Sequence, residues 1–415
     1  MSDTTASGDT SATGSPPAPP LRRIAIVTET YPPEVNGVAQ TIAKVVDGLR
    51  EAGHDLTLIR PRQDKPSGES ASKKFREVTV RGVPIPKYNQ LKLGLPASLR
   101  LTRLWREHRP DLVHIVTEGP LGLSALVAAR RLGIPVASEF RTNFHTYSAH
   151  YGIGWLRRPI MGYLRAFHNR TGCTMVATRA LAEELAAEGF ANLRVVARGV
   201  DTQRFQPARR CPQLRTAWQA TPETLVVLYV GRIAEEKNLP LLFRAFAPIR
   251  AVRPNARLVL VGDGPARAAL TRKYPDAIFA GVQRGEELAR HYASADLFLF
   301  PSLTETFGNV TPEALASGLA VLAYDHAAAR ELILTGKNGV TVPPGEEAEF
   351  VRRAAEMATR PPLDLAQMRE QARESVGRLS WPRIIGEIEQ VYSHLRAARH
   401  TADATVAIPM LSREV

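Results

Sequence analysis

The sequence predicts an α/β protein made of two doubly wound, Rossmann-like domains that face each other across a cleft. Three observations carry this prediction. Short β-rich apolar runs alternate with amphipathic helical stretches. The alternation breaks once, at residues 201–222, and then restarts. Finally, 415 residues exceed what one ordinary core fills.

The first domain opens with IAIVTET (24–30), a helix over about residues 37–52 and DLTLIRP (55–61), which together form a βαβ unit. DLVHIVTEG (111–119), the small-residue helix LGLSALVAARRLG, PVASEF (135–140), CTMVAT (173–178), ALAEELAAEG and LRVVARGV (193–200) continue the pattern. Residues 201–222, rich in Pro, Arg and Gln without clear periodicity, read as the linker. The second domain supplies TLVVLYVGR (224–232), RLVLVGDG (257–264), AIFAGV (277–282), LFLFPS (297–302) and LAVLAYD (319–325). A last helix over residues 381–399 is long enough to return to the first domain. The expected organisation is a tail at 1–20, domains at 21–200 and 223–380 joined by the linker, the returning helix, and a second tail at 400–415.

A hydrophobic fraction of 44% and a charged fraction of 23% are those of a soluble globular protein. No run of about 18 apolar residues appears, so no segment is expected to span a bilayer. The first twenty residues lack the basic start and apolar stretch of a secretion signal. Only Cys173 and Cys211 are present, which offers no disulfide framework and suits a reducing cytosol. The net charge of +13 is uneven: residues 1–200 carry 27 basic against 17 acidic side chains, the remainder 27 against 24. Residues 73–170 alone hold 17 basic and 5 acidic residues, an excess that favours an anionic surface.

The most informative segment is PSLTETFGNVTPEALASG (301–318). A strand must end near Ser302 and a helix begin near Asn309, so the free backbone N–H groups of the helix start would face the cleft, and Gly308 would let the backbone approach closely. Glu313, about one turn inside the helix, could accept hydrogen bonds from a ribose diol, while Glu305 would sit nearer a reacting sugar. In GRIAEEKN (231–238), Arg232 and Lys237 flank an expected helix start and form a natural site for a diphosphate. In TETYPPEVNGVAQ, Gly37 would let the first domain's helix approach the phosphates from the opposite side. No GxGxxG follows the first strand, which weakens a dinucleotide reading, and GDGP (262–265) reads as a tight turn beside the nucleotide. Each residue alone is ordinary; a helix N-terminus with an acid, or an Arg and a Lys on a loop, is commonplace.

Taken together, NGVAQ, GRIAEEKN, VGDGP and the pair Glu305 and Glu313 resemble the retaining glycosyltransferases of family 4, over roughly residues 22–395. The resemblance implies the GT-B architecture and a nucleotide diphosphate sugar as co-substrate. It also implies that Arg232 and Lys237 hold the diphosphate, Glu313 the ribose and Glu305 the donor sugar, with backbone groups of Phe307, Gly308, Asn309 and Val310 near the sugar and phosphates. Many members carry a His at the end of the run that is here VASEFRTNFHTY; by spacing that position is Arg141, with His145 four residues on. Either could be the acceptor-side polar residue, His145 by titrating near neutral pH and Arg141 as an anion contact. Catalytic roles are thus expected for Glu305, His145, Arg232 and Lys237. No D-x-D triplet occurs, so cations of the protein are expected to replace a metal, and no cofactor is expected.

Residues 151–170, with Trp155, Leu156, Ile160, Met161, Tyr163, Leu164 and Phe167 among Arg157, Arg158, Arg165 and Arg170, suit either a lipid interface or an ordinary packed helix. YNQLKLGLP (88–96) reads as a second apolar, basic loop. A lipid acceptor, with GDP-mannose or a UDP-hexose as donor, is therefore expected, at the inner face of the cytoplasmic membrane. A nucleotide-sugar epimerase of the same fold or transfer to a soluble or polysaccharide acceptor are the alternatives. Nucleic-acid binding rests on charge alone and leaves Glu305 and Glu313 without a role.

Overall fold

The computed structural model describes residues 23–34, 36–63, 74–85, 88–141 and 157–406. His145, Trp155 and Leu156 lie outside them. Among the described residues, nine strands belong to the first domain: β1 (Arg23–Val27), β2 (Asp55–Pro61), β3 (Phe75–Val80), β4 (Gly82–Ile85), β5 (Tyr88–Gly94), β6 (Leu112–Ile115), β7 (Val136–Glu139), β8 (Cys173–Val176) and β9 (Leu193–Val195). Seven of them form a parallel sheet in the order β3-β2-β1-β6-β7-β8-β9. β6, β7 and β8 are buried along their whole length, as strands covered by helices on both faces must be. Residues 88–94, read from the sequence as a loop, instead pair antiparallel with β4 in a separate hairpin.

The second domain repeats the plan with β10 (Val226–Val230), β11 (Arg257–Val261), β12 (Ile278–Gly281), β13 (Leu297–Phe300), β14 (Ala320–Tyr324) and β15 (Gly339–Val342), ordered β12-β11-β10-β13-β14-β15. The expectation of two Rossmann-like sheets is borne out.

The helix Gly37–Glu51 shows why the first domain folds locally as it does. Asn36 caps it by accepting the Ala39 N–H at 2.8 Å, and Ala39, Ile42, Val45, Val46 and Leu49 form its buried stripe. The last helix, Trp381–Val406, packs Ile384, Ile385, Ile388, Val391 and Tyr392 inward. It reaches the first domain through Tyr392, whose hydroxyl lies 2.7 Å from His114 Nδ1 on β6, and through Glu389, 2.7 Å from His54 Nε2.

Residues 201–222, read as a linker, are an ordered part of the second domain. They carry a 3₁₀ turn (Pro207–Arg209) and a helix (Pro212–Ala217). Asp296, at the start of β13, gathers this segment: its carboxylate receives Arg210 Nη2 at 2.9 Å, Arg215 Nη1 at 3.2 Å, Arg369 Nη1 at 3.4 Å and the Val226 N–H at 2.9 Å. Arg215 is itself buried. Removing one partner from a buried ionic hub leaves the others uncompensated. Asp296→Ala should therefore destabilise the protein by about 3–5 kcal/mol, measured as a fall in the denaturation midpoint. An unchanged midpoint would show that water replaces the carboxylate at little cost.

Candidate functional site

In doubly wound sheets ligands bind beyond the carboxyl ends of the strands where the strand order reverses. Those points are β1/β6 in the first sheet and β10/β13 in the second. The loop before Gly37 follows β1, Arg232 follows β10, and Ser302 to Asn309 follow β13, so topology alone places the three predicted segments at switch points.

At the β10/β13 edge, Lys237 Nζ lies 2.5 Å from Glu305 Oε1, and both side chains are largely buried. Ser302 Oγ donates to the same carboxylate oxygen at 3.0 Å, and His326 Nε2 sits 3.0 Å from the Glu305 carbonyl. Glu305 is thus fixed at side chain and backbone. Arg232 is 41% exposed, with Nη1 3.2 Å from the buried Glu236. The helix start expected between Arg232 and Lys237 is instead a 3₁₀ turn, Glu235–Lys237; the helix begins only at Leu239, after Asn238 takes a left-handed conformation. The Pro at the second helical position stops the helix from extending back into the loop.

The GDGP backbone packs against the loop that follows β10. A Cβ on Gly262 would stand 1.9 Å from the Gly231 carbonyl oxygen, and Ile233 N–H donates to the Asp263 carbonyl at 2.9 Å. Gly262 thus lets the two loops pack backbone to backbone and holds the segment that carries Arg232.

Phe307 is buried beneath the turn, and Gly308 adopts φ +82°, a conformation open to glycine at little cost. Asn309 begins the helix Val310–Ala316 and its amide reaches across the cleft to Thr41 Oγ1 at 3.2 Å. The nearest atom to a Cβ on Gly37 would be that same amide nitrogen, at 3.8 Å. Gly37 and the run Phe307, Gly308, Asn309, Val310 therefore meet face to face. Glu313 stands apart from Glu305: its carboxylate accepts the Tyr292 hydroxyl at 3.0 Å, and burial pushes its pKa up to about 7, against that hydrogen bond and Arg204.

On the first domain Arg141 is buried and pairs with Glu139. Glu139 also faces His114 Nε2 at 2.8 Å. Burial alone would raise the Glu139 carboxyl, but Arg141 and His114 hold it well below its ordinary value. The sequence reading overlooked Arg198, which lies buried with its guanidinium 5.7 Å from the centre of the Phe307 ring. Its signal was present, since Arg198 stands beside a Gly at the end of an expected strand, as Arg232 does beside Gly231.

The apolar side of the expected lipid-facing stretch is largely occupied. Within the helix Arg157–His168, Met161, Leu164 and Phe167 are core residues. Arg157 bonds the Glu188 carboxylate and Arg165 the Glu188 carbonyl, each at 3.0 Å. Tyr163, 39% exposed, donates its hydroxyl to the Glu118 carbonyl. The described part of this stretch is a helix packed on the sheet with a basic outer face.

Residues 35–204 match the model of glycosyltransferase family 4, and residues 224–360 that of the glycosyl transferases group 1. The chain is 38% identical over 386 residues to a GDP-mannose-dependent alpha-mannosyltransferase of Mycobacterium tuberculosis (strain CDC 1551 / Oshkosh), covering 92% of this chain and 99% of the relative. It is 28% identical to an alpha-monoglucosyldiacylglycerol synthase of Streptococcus pneumoniae (strain ATCC BAA-255 / R6), covering 75% and 73%. Among solved structures, a sucrose-phosphate synthase from Thermosynechococcus elongatus superposes with a TM-score of 0.73 at 18% identity, covering 91% of this chain and all of that one, which shows the shared fold. With both domain models matched in order and a relative aligned over nearly its whole length, the chain belongs to the family 4 glycosyltransferases and is an enzyme of that class.

Proposed function

We propose that this enzyme transfers a hexose, with retention at the anomeric carbon, from a nucleoside diphosphate sugar to a hydroxyl of a lipid acceptor, GDP-mannose being the first donor to test. The observation that carries the reading is the Lys237–Glu305 pair, because it sets a cation and an acid at the β10/β13 switch point, on the loop whose Asn309 faces Gly37 of the first domain. In this reading Lys237 and Arg232 neutralise the diphosphate as it leaves, without a metal or other cofactor. Glu305 holds a donor-sugar hydroxyl. The acceptor oxygen bonds to the anomeric carbon on the face that the phosphate oxygen vacates, and the departing phosphate takes the hydroxyl proton. Glu313 takes the ribose, with the backbone of residues 307–310 beside sugar and phosphates.

The acceptor is inferred from surface chemistry. No helix among the described residues is long and apolar enough to cross a membrane. The helix Ser98–Glu107, however, buries Leu101, Thr102 and Trp105 and turns Arg100, Arg103 and Arg106 outward, with Leu99 78% exposed at its start. Basic groups of this kind contribute about 1 kcal/mol each at an anionic leaflet and are screened by salt. Two of the relatives that align with this chain are named for phosphatidylinositol mannosides or diacylglycerol as what they act on. The enzyme is accordingly proposed to work peripherally at the inner face of the cytoplasmic membrane. Nucleic acid has no place in this reading.

Glu305→Gln and Lys237→Ala should each lower turnover by about 100-fold or more while the denaturation midpoint stays within a few degrees, since both act mainly on charge that grows in the transition state. The same assay run in EDTA should keep its rate. Near-normal turnover of either variant would remove the pair from the chemistry, and magnesium-restorable loss in EDTA would overturn the metal-free reading.

Glu313 gives a pH test. Its folded pKa of about 7 lies above the ordinary 4.5, so the native state holds a proton that the unfolded chain loses. The resulting stabilisation is complete below the unfolded value and fades as pH rises through 7, by up to about 3 kcal/mol. Binding to a ribose diol needs the ionised form, so nucleotide affinity should rise across the same interval. In Glu313→Gln both dependences should flatten, as followed by thermal unfolding and calorimetric titration between pH 5 and 8. An unchanged pH profile of binding would separate Glu313 from the nucleotide.

Wild-type protein should sediment with anionic vesicles at low salt and be released as salt rises. Arg100→Glu, Arg103→Glu and Arg106→Glu together should cut that binding at least about ten-fold while nucleotide binding is unchanged. Indifference of the wild type to anionic vesicles would leave the basic face as a solvated coat.

A further inference from the structure

Two buried arginines at the cleft have more hydrogen-bond donors than partners. Arg141 spends one terminal nitrogen on Glu139, while its Nε and Nη1 are buried and make no hydrogen bond. Arg198, also buried, has no hydrogen bond to any described residue and is laid over the ring of Phe307. Both line one small cavity of about 20 Å³, walled otherwise by Thr41, Glu139, Ala177 and Trp381 among others. That volume accepts about one or two oxygen atoms, not a sugar ring.

Nearby acids do not balance this charge. Glu139 is shared between Arg141 and His114, and Glu305, across the cleft, is engaged by Lys237. Burying a guanidinium without partners is costly, and Arg198 pays part of that cost in a pKa drawn down to about 9, by burial first and by Arg141 second. An incoming oxyanion would satisfy both groups at once, and arginine's planar fork suits one.

We propose that Arg141 and Arg198 form a subsite for a carboxylate carried by one of the two sugars that meet in the cleft. The proposal rests on the glycosyltransferase reading and adds to it a substrate class: one reacting sugar, donor or acceptor, is acidic. Arg198 comes from the first domain onto the residue two beyond Glu305, whereas Lys237 meets Glu305 from within the second domain. The acidic group is thereby set on the first-domain side of the donor sugar, distinct from the diphosphate.

The test compares wild type with Arg198→Gln, using Arg198→Lys as a second variant that keeps the charge, with thermal unfolding to verify folding. In the donor arm, calorimetry is run with UDP, GDP, GDP-mannose, UDP-glucose and UDP-glucuronate. In the acceptor arm, KM is measured for octyl glucoside and octyl glucuronide with the best donor. The subsite is supported if wild type prefers the acidic member of either matched pair by about ten-fold or more, the size of one charge-assisted hydrogen bond. Arg198→Gln must then erase that preference while UDP and GDP bind as before, and Arg198→Lys must retain part of it. The arm that responds tells whether donor or acceptor bears the acid. If nucleotide binds but neither pair is discriminated, or if Arg198→Gln weakens plain UDP and GDP as much as the acidic ligand, the subsite is refuted. Failure of the wild type to bind any nucleotide would instead overturn the reading of the cleft itself.

Discussion

The contact between the Tyr392 hydroxyl and His114, at 2.7 Å, joins the last helix of the chain to the centre of the first sheet, and much of the molecule depends on it. Both groups are buried, so neither has water as an alternative partner. From His114 the same network runs on through Glu139 to Arg141 at the mouth of the cleft. A single line of polar contacts therefore clasps the chain's end to its beginning and sets the floor of the site. A change in how the last helix seats would be felt at Arg141 without passing through the apolar core.

Two sheets of the same design need such a clasp because nothing in a parallel sheet fixes its position relative to another. Each domain satisfies its own backbone. The relation between them is carried by the apolar face of the last helix, where Ile384, Ile385 and Ile388 join one buried cluster that runs through both domains, and by polar contacts that include Tyr392 and Glu389 from the same helix, Lys44 3.6 Å from Asp201, and Asn309 reaching Thr41.

What could be read from the sequence follows the range of the interactions involved. The strands at the centre of both sheets were legible because burial on both faces writes a continuous apolar run into the chain. Gly37 and residues 305–313 were legible because strand-to-helix junctions carry local signals. The β4–β5 hairpin was not, since Pro84 and the basic residues of the segment obscure alternation. Residues 201–222 looked structureless because their ordering partner, Asp296, lies 86 residues from Arg210. Arg198 was overlooked for a related reason: its importance comes from lying buried beside Arg141 and over Phe307, a fact of tertiary placement that no window of sequence contains.

The backbone packing of Gly262 against Gly231 bears on how the family's motifs should be interpreted across its members. The Gly231 carbonyl forbids a side chain at Gly262 and the Tyr229 hydroxyl crowds one at Gly231, with no ligand involved, so both glycines would persist in a descendant that had lost its donor and survived as a mere scaffold. Lys237 and Glu305 answer chiefly to each other, and no backbone packing of this kind rests on them. Among sequences that retain the glycine loops, the presence or decay of that charged pair should separate working transferases from retired copies of the fold.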